Sequence, residues 1–201
     1  MSVVLSTSAV YAYAFVALFG FIILRRAYVM TKGAPVSVGR LVVLPIIYVL
    51  LYVAELAAIG YGAIGTNLTN QVYIAFGADA VLFAIGVLIA YRYTLTHVKI
   101  YRNTADTAWM YRLNAVLPVV YVALFFARTA IETVVLGLSP FDYPTAATFV
   151  GISPISLYLL FAVDAMWGLS TGFLLGRSAG VYHEWQQELA AHPTAPDATL
   201  P

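Results

Sequence analysis

Leu41-Val-Val-Leu-Pro-Ile-Ile-Tyr-Val-Leu-Leu-Tyr-Val-Ala-Glu-Leu-Ala-Ala-Ile-Gly-Tyr-Gly-Ala-Ile64 is the stretch that decides the fold. Glu55 is its only charge. At roughly 1.5 Å per residue, such a helix crosses about 30 Å of hydrocarbon. Four further stretches read the same way, over 8–24, 72–91, 113–136 and 154–176. The whole chain is 62% hydrophobic and 9% charged, whereas soluble domains carry about 25% charged residues. Lipid is the solvent that suits this composition. The reading is an all-α integral membrane protein, a five-transmembrane-helix bundle over residues 1–182 with a cytoplasmic, partly disordered tail over 183–201.

The cations orient it. Of ten Lys and Arg residues, all but Arg128 flank the spans on one side. Arg25, Arg26, Lys32 and Arg40 fill the first connection, Arg92, Lys99, Arg102 and Arg112 the third, and Arg177 closes the fifth span. The N-terminal segment and the second and fourth connections hold none. The positive-inside rule makes the basic side cytoplasmic, so the N-terminus is predicted outside and the C-terminus inside, in the cell membrane. Arg25 and Arg26 follow the first apolar core instead of preceding it, which favours a retained helix over a cleaved signal peptide. Tyr11, Tyr13, Tyr73, Trp109, Tyr111 and Tyr143 lie near predicted helix ends, as an aromatic belt would.

Between spans three and four, Tyr93-Thr-Leu-Thr-His-Val-Lys-Ile-Tyr-Arg102 is β-branched and aromatic. Asn103–Asp106 is turn-like, and Thr107–Arg112 can return. A short cytoplasmic β-hairpin is the preferred reading; continuation of the third helix along the membrane surface is the alternative. A helical turn or two is expected over His183–Glu188.

An internal repeat is suggested by Leu44-Pro-Ile-Ile-Tyr-Val49 and Leu117-Pro-Val-Val-Tyr-Val122, each after an Arg-Leu pair. Two tandem helix–loop–helix units plus a fifth helix would result, although chance similarity of apolar segments gives the same strings. In the repeat, Pro45 and Pro118 lie at equivalent depths and could bend their helices.

Five charged residues fall inside the spans: Glu55, Asp79, Arg128, Glu132 and Asp164. Such residues usually face protein or water, because each costs about 2.5–3.5 kcal/mol near a helix centre. Glu55 and Arg128 each stand ten residues beyond their repeat proline. Glu132 shares a helix face with Arg128, and Asp79 enters from the opposite side. Four carboxylates against one arginine leave three negative charges uncompensated if all ionise together. Either a carboxyl then keeps a proton or a cation or water reaches it, the mark of a proton or cation pathway. The plainer reading is an Arg128–Glu55 or Arg128–Glu132 pair that fixes packing. Tyr48, Tyr52 and Tyr121 could complete a polar network with them. Gly60, Gly62, Gly65, Gly168 and Gly172 permit close helix approach.

Other chemistries find no residues. Cysteine is absent, so thiol redox and thiolate metal sites are excluded. His97, His183 and His192 lie outside the spans, which argues against haem and other cofactors, and no metal site is expected. No nucleotide-binding or hydrolase motif is present. A net charge of +1 does not point to nucleic acid. Asn67-Leu-Thr69 is a glycosylation sequon too near helix ends to expect use.

Arg40-Leu-Val-Val-Leu-Pro-Ile-Ile-Tyr48 after a basic loop, with Gly86-Val-Leu-Ile-Ala-Tyr-Arg92 leading into a polar loop, resembles the CcdC-like family of small polytopic membrane proteins. The resemblance covers residues 15–135. It implies a link by name to cytochrome c biogenesis but no catalytic residues, and the fifth helix departs from its four-helix pattern. Two functions are compatible with the chain. One is a non-enzymatic accessory or assembly subunit packed against a larger membrane complex or a second copy. The other is a proton- or cation-coupled channel or carrier, acting as an oligomer. An enzyme acting on lipid is a distant third.

Overall fold

The computed structural model describes residues 7–64, 67–103, 108–131 and 153–192. Helix α1 spans Thr7–Lys32 and strand β1 Ala34–Pro35. A wide π-helical turn, Gly39–Val43, leads into α2 (Leu44–Ala63), followed by α3 (Thr69–His97). Strands β2 (Lys99–Arg102) and β3 (Trp109–Arg112) precede α4 (Val116–Ala130) and α5 (Pro154–Ala191). Three of the described helices, Gly39–Ala63, Thr69–His97 and Ile155–Ala191, are long and apolar enough to cross a membrane, and Val116–Ala130 is a shorter apolar helix. Large apolar side chains such as Ile46, Leu50, Ile74, Val81 and Leu88 stand uncovered, as lipid-facing positions would.

The hairpin forms, with β2 and β3 antiparallel and Lys99 opposite Arg112. It is shorter than its composition predicts, because α3 runs on through Tyr93-Thr-Leu-Thr-His97. Thr94 is fully buried, where it meets the space beside Gly180 of α5. Tyr93 stacks on His97 at 4.0 Å. Packing against α5 thus overrides the strand preference of these residues. Asn103 N donates to the Ala108 carbonyl at 3.0 Å, closing the strand ends, and the Arg102 guanidinium lies over its cross-strand partner Trp109.

A third strand was not legible. β1 pairs with β3, giving the order β1-β3-β2. It starts beyond Gly33, whose φ of 129° is open to glycine and few other residues. The Tyr101 hydroxyl fills the space where a Cβ would sit there. Met30, Ala34, Leu41, Tyr111, Leu113 and Val181 form an apolar core at this sheet end.

Both prolines sit in first turns of regular α-helix. At Pro45 the preceding π turn accommodates the ring, which would otherwise press on the carbonyl four residues back. Pro118 follows Val116 and Leu117 in α4, where a missing N–H leaves no bond unmade. Helix four therefore starts later than residue 113. Leu113 instead donates its N–H to the Met30 carbonyl at 3.0 Å. Residues 132–136 of that expected span lie outside the described residues, as do the distal tail and most of the fourth connection.

The fifth helix corrects the expectation most. α5 is one continuous helix of 38 residues, about 57 Å long at 1.5 Å per residue. It joins the 154–176 span to the helical turns expected over His183–Glu188. Ser153 caps it, its hydroxyl accepting from Ser156 N at 3.1 Å. Half of its most apolar stretch is buried, against 17% for the α2 and α3 helices. α5 is therefore the central element. Gly168, Gly172, Gly176 and Gly180, each four residues apart, bring it against α3 and leave Asp79, Phe83, Val87 and Thr94 as its neighbours. At the end remote from the sheet, Ile59, Ala63, Val72, Leu157 and Leu160 make a second apolar core. The polar residues lie between the two cores.

Candidate functional site

The polar layer is centred on one ion pair. Arg128 Nη2 of α4 donates to Glu55 Oε1 of α2 at 3.0 Å, and the two side chains are only 11% and 13% exposed. The Arg128 guanidinium also lies 3.6 Å from the centre of the Trp167 ring on α5. Cation–π contact and ion pair together tie three helices at one point. Of the two expected pairings, Arg128–Glu55 is present; Glu132 lies outside the described residues.

Tyr52, one turn before Glu55, is buried and stacks on Phe83 of α3 at 5.8 Å. Its hydroxyl enters the groove left by Gly168, where a Cβ would stand 2.8 Å from it. Asp79, Asp164 and Glu55 all act electrostatically on this phenol. Asp164 is 4% exposed and Asp79 2%. Asp164 and Trp167 share a face of α5 at i, i+3. Asp79 Oδ2 and the Tyr52 hydroxyl have no hydrogen-bond partner among the described residues.

A cleft of about 470 Å³ leads to Asp79. It lies between α3 and α5, with Leu68 and Gln71 at the α2–α3 connection and Leu157 and Phe161 among its walls. Thr69 holds that connection closed by donating to the Ala63 carbonyl at 2.9 Å. Three carboxylates from three helices thus surround the Tyr52 phenol, one of them paired with Arg128 and another lining a cleft. Among the described residues, no three His, Asp or Glu side chains are grouped to hold a metal ion.

Tyr48 and Tyr121 belong elsewhere. They are electrostatic neighbours of one another and lie nearer the sheet, in the electrostatic neighbourhood of Arg177 and Arg26. The network expected around Glu55 is therefore two networks. Trp167 is a site residue that spacing did not reveal, because an aromatic ring under a guanidinium carries no sequence periodicity.

No family model, curated protein or solved structure matches the chain. Its class is set by fold and site alone: a predominantly helical protein with helices suited to a membrane and an acid-rich layer between two apolar cores.

Proposed function

We propose that the protein is a five-span cell-membrane protein, N-terminus outside and C-terminus cytoplasmic, that passes protons or small cations through its carboxylate layer. The observation that carries this is Asp79, which is 2% exposed, has an Oδ2 with no hydrogen-bond partner among the described residues and lines a cleft. A carboxylate held that way is costly unless a proton or cation joins it. Glu55, a second acid acting on Asp79, offers a relay point, and Arg128 keeps Glu55 in place. In the proposed topology the Leu68–Gln71 end of the cleft faces outward. Tyr52 and Asp164 complete the path.

The test is flux into liposomes reconstituted with the full chain. With a pH-sensitive dye inside and an imposed potassium diffusion potential, the wild type is expected to acidify the lumen. Asp79→Asn is expected to fall to the protein-free level, and Glu55→Gln to slow the flux. Wild-type flux in Asp79→Asn, with the variant folded, would end this reading.

A second reading, a non-enzymatic accessory or assembly subunit, is favoured by α2. Its Ile46, Ile47, Leu50, Leu51 and Val53 are all uncovered, a face that suits another membrane subunit as well as lipid. A larger complex co-purifying in fixed stoichiometry from native membranes would support it.

A further inference from the structure

At the sheet end of the bundle a second cluster of polar groups has the opposite charge. Arg177 of α5 is 7% exposed. Its Nη1 donates to the Met30 sulfur at 2.9 Å and its Nη2 to Ser178 Oγ at 3.3 Å. Its Nε has no partner among the described residues. Thioether sulfur is a weak acceptor, and a serine hydroxyl is neutral. The groups acting electrostatically on Arg177 are Tyr111, Arg26, Tyr121 and Tyr48, without a carboxylate among them. A guanidinium does not escape the penalty by losing its proton. This one is therefore a buried cation in the field of a second cation, with an unused donor and no counter-ion among the described residues.

The arrangement differs from an ordinary buried ion pair such as Glu55–Arg128. Four helices and the sheet each contribute one group: Arg26 from α1, Tyr48 from α2, Tyr121 from α4, Arg177 from α5 and Tyr111 from β3. Arg26, Tyr48 and Tyr121 are half-buried, so the cluster reaches the protein surface through these three side chains. Two guanidiniums with phenolic donors match a tetrahedral oxyanion, since guanidinium forks bind phosphate oxygens bidentately.

We propose that the Arg26–Arg177–Tyr48–Tyr121 cluster binds a phosphate oxyanion, carried either by the headgroup of an anionic phospholipid or by free inorganic phosphate. The bound anion neutralises Arg177 and ties α1 and α5 together at the sheet end. The site is independent of the carboxylate layer, so it stands or falls separately from the proposed flux.

Thermal unfolding of the full chain separates the two sources. One arm adds inorganic phosphate in uncharged detergent, at constant ionic strength against chloride. The other compares phosphatidylcholine nanodiscs with and without phosphatidylglycerol. Saturating ligand is expected to raise the unfolding midpoint by roughly 2–4 °C or more in one arm, and that arm names the source. Arg177→Gln and Arg26→Gln are expected to abolish the rise, whereas Arg40→Gln, an exposed cation at the same end, keeps it. If Arg177→Gln does not fold, Arg26→Gln and Tyr48→Phe carry the comparison. The proposal is overturned if neither arm raises the wild-type midpoint, or if Arg26→Gln shows the full rise. It is also overturned if Arg40→Gln loses the rise equally. A salting-out effect of phosphate would be common to all variants.

Discussion

Gly176→Val is expected to leave little folded protein in detergent. A side chain at this position would meet the Val87 backbone, with the carbonyl carbon at 2.8 Å and Cα at 2.9 Å, and with the carbonyl oxygen in direct contact. Those atoms belong to α3 and cannot swing aside as a flexible side chain would. Overpacking a well-filled interior costs about 1–3 kcal/mol when side chains can adjust. Here two helix axes must separate, which also opens the contacts at Gly172 and Gly180, so the loss should lie at the top of that range. Gly77→Ala on α3 is the matched control, because a Cβ there meets nothing within 4 Å. Alanine removes the glycine penalty of about 1 kcal/mol in a helix, so this variant should unfold no earlier than the wild type. Equal midpoints for Gly176→Val and the wild type would show that α3 and α5 are not packed as described.

Arg128→Leu is the second substitution expected to have a large effect. Removing the guanidinium takes the Arg128 charge away from the largely buried Glu55 carboxylate and the cation away from the Trp167 ring. Breaking one side of a buried pair costs about 3–5 kcal/mol. The double change Arg128→Leu, Glu55→Leu strands no charge and should recover most of that loss. Denaturation of wild type, both single variants and the double variant gives the coupling directly. Additive losses would mean that the two side chains do not interact. Arg128→Lys is expected to fall between, because an ammonium keeps the charge but lacks the planar face that lies on Trp167.

The sequence was most legible where one physical signal dominated. Long apolar runs mark the helices, and equal spacing from Pro45 and Pro118 puts Glu55 and Arg128 at matching positions on α2 and α4, where they meet. Legibility failed where a residue's meaning depends on what covers it. Arg177 reads as the cationic end of a span, yet the helix continues and α1, α2, α4 and the sheet close over that side chain. Thr94 and its neighbours read as strand, until Gly180 opposite them admits a helix. The β1 pairing rests on two residues and a glycine with positive φ, too little for a pattern. Gly168 and Gly172 suggest close packing, but the continuation of that row to Gly180 lies beyond a span that the sequence ends at Arg177.

The proposed topology carries the functional account, because the cleft at Asp79 serves an outward pathway only if the Gln71 end faces outside. The chain contains no cysteine, so single-cysteine variants of the full protein report sidedness without background. Gln71→Cys and Ala108→Cys place thiols at exposed positions near the α2–α3 connection and in the hairpin. In intact cells, a membrane-impermeant maleimide is expected to label Gln71→Cys at once and Ala108→Cys only after permeabilisation. Labelling of Ala108→Cys from outside, with Gln71→Cys protected, would reverse the bundle and contradict the account.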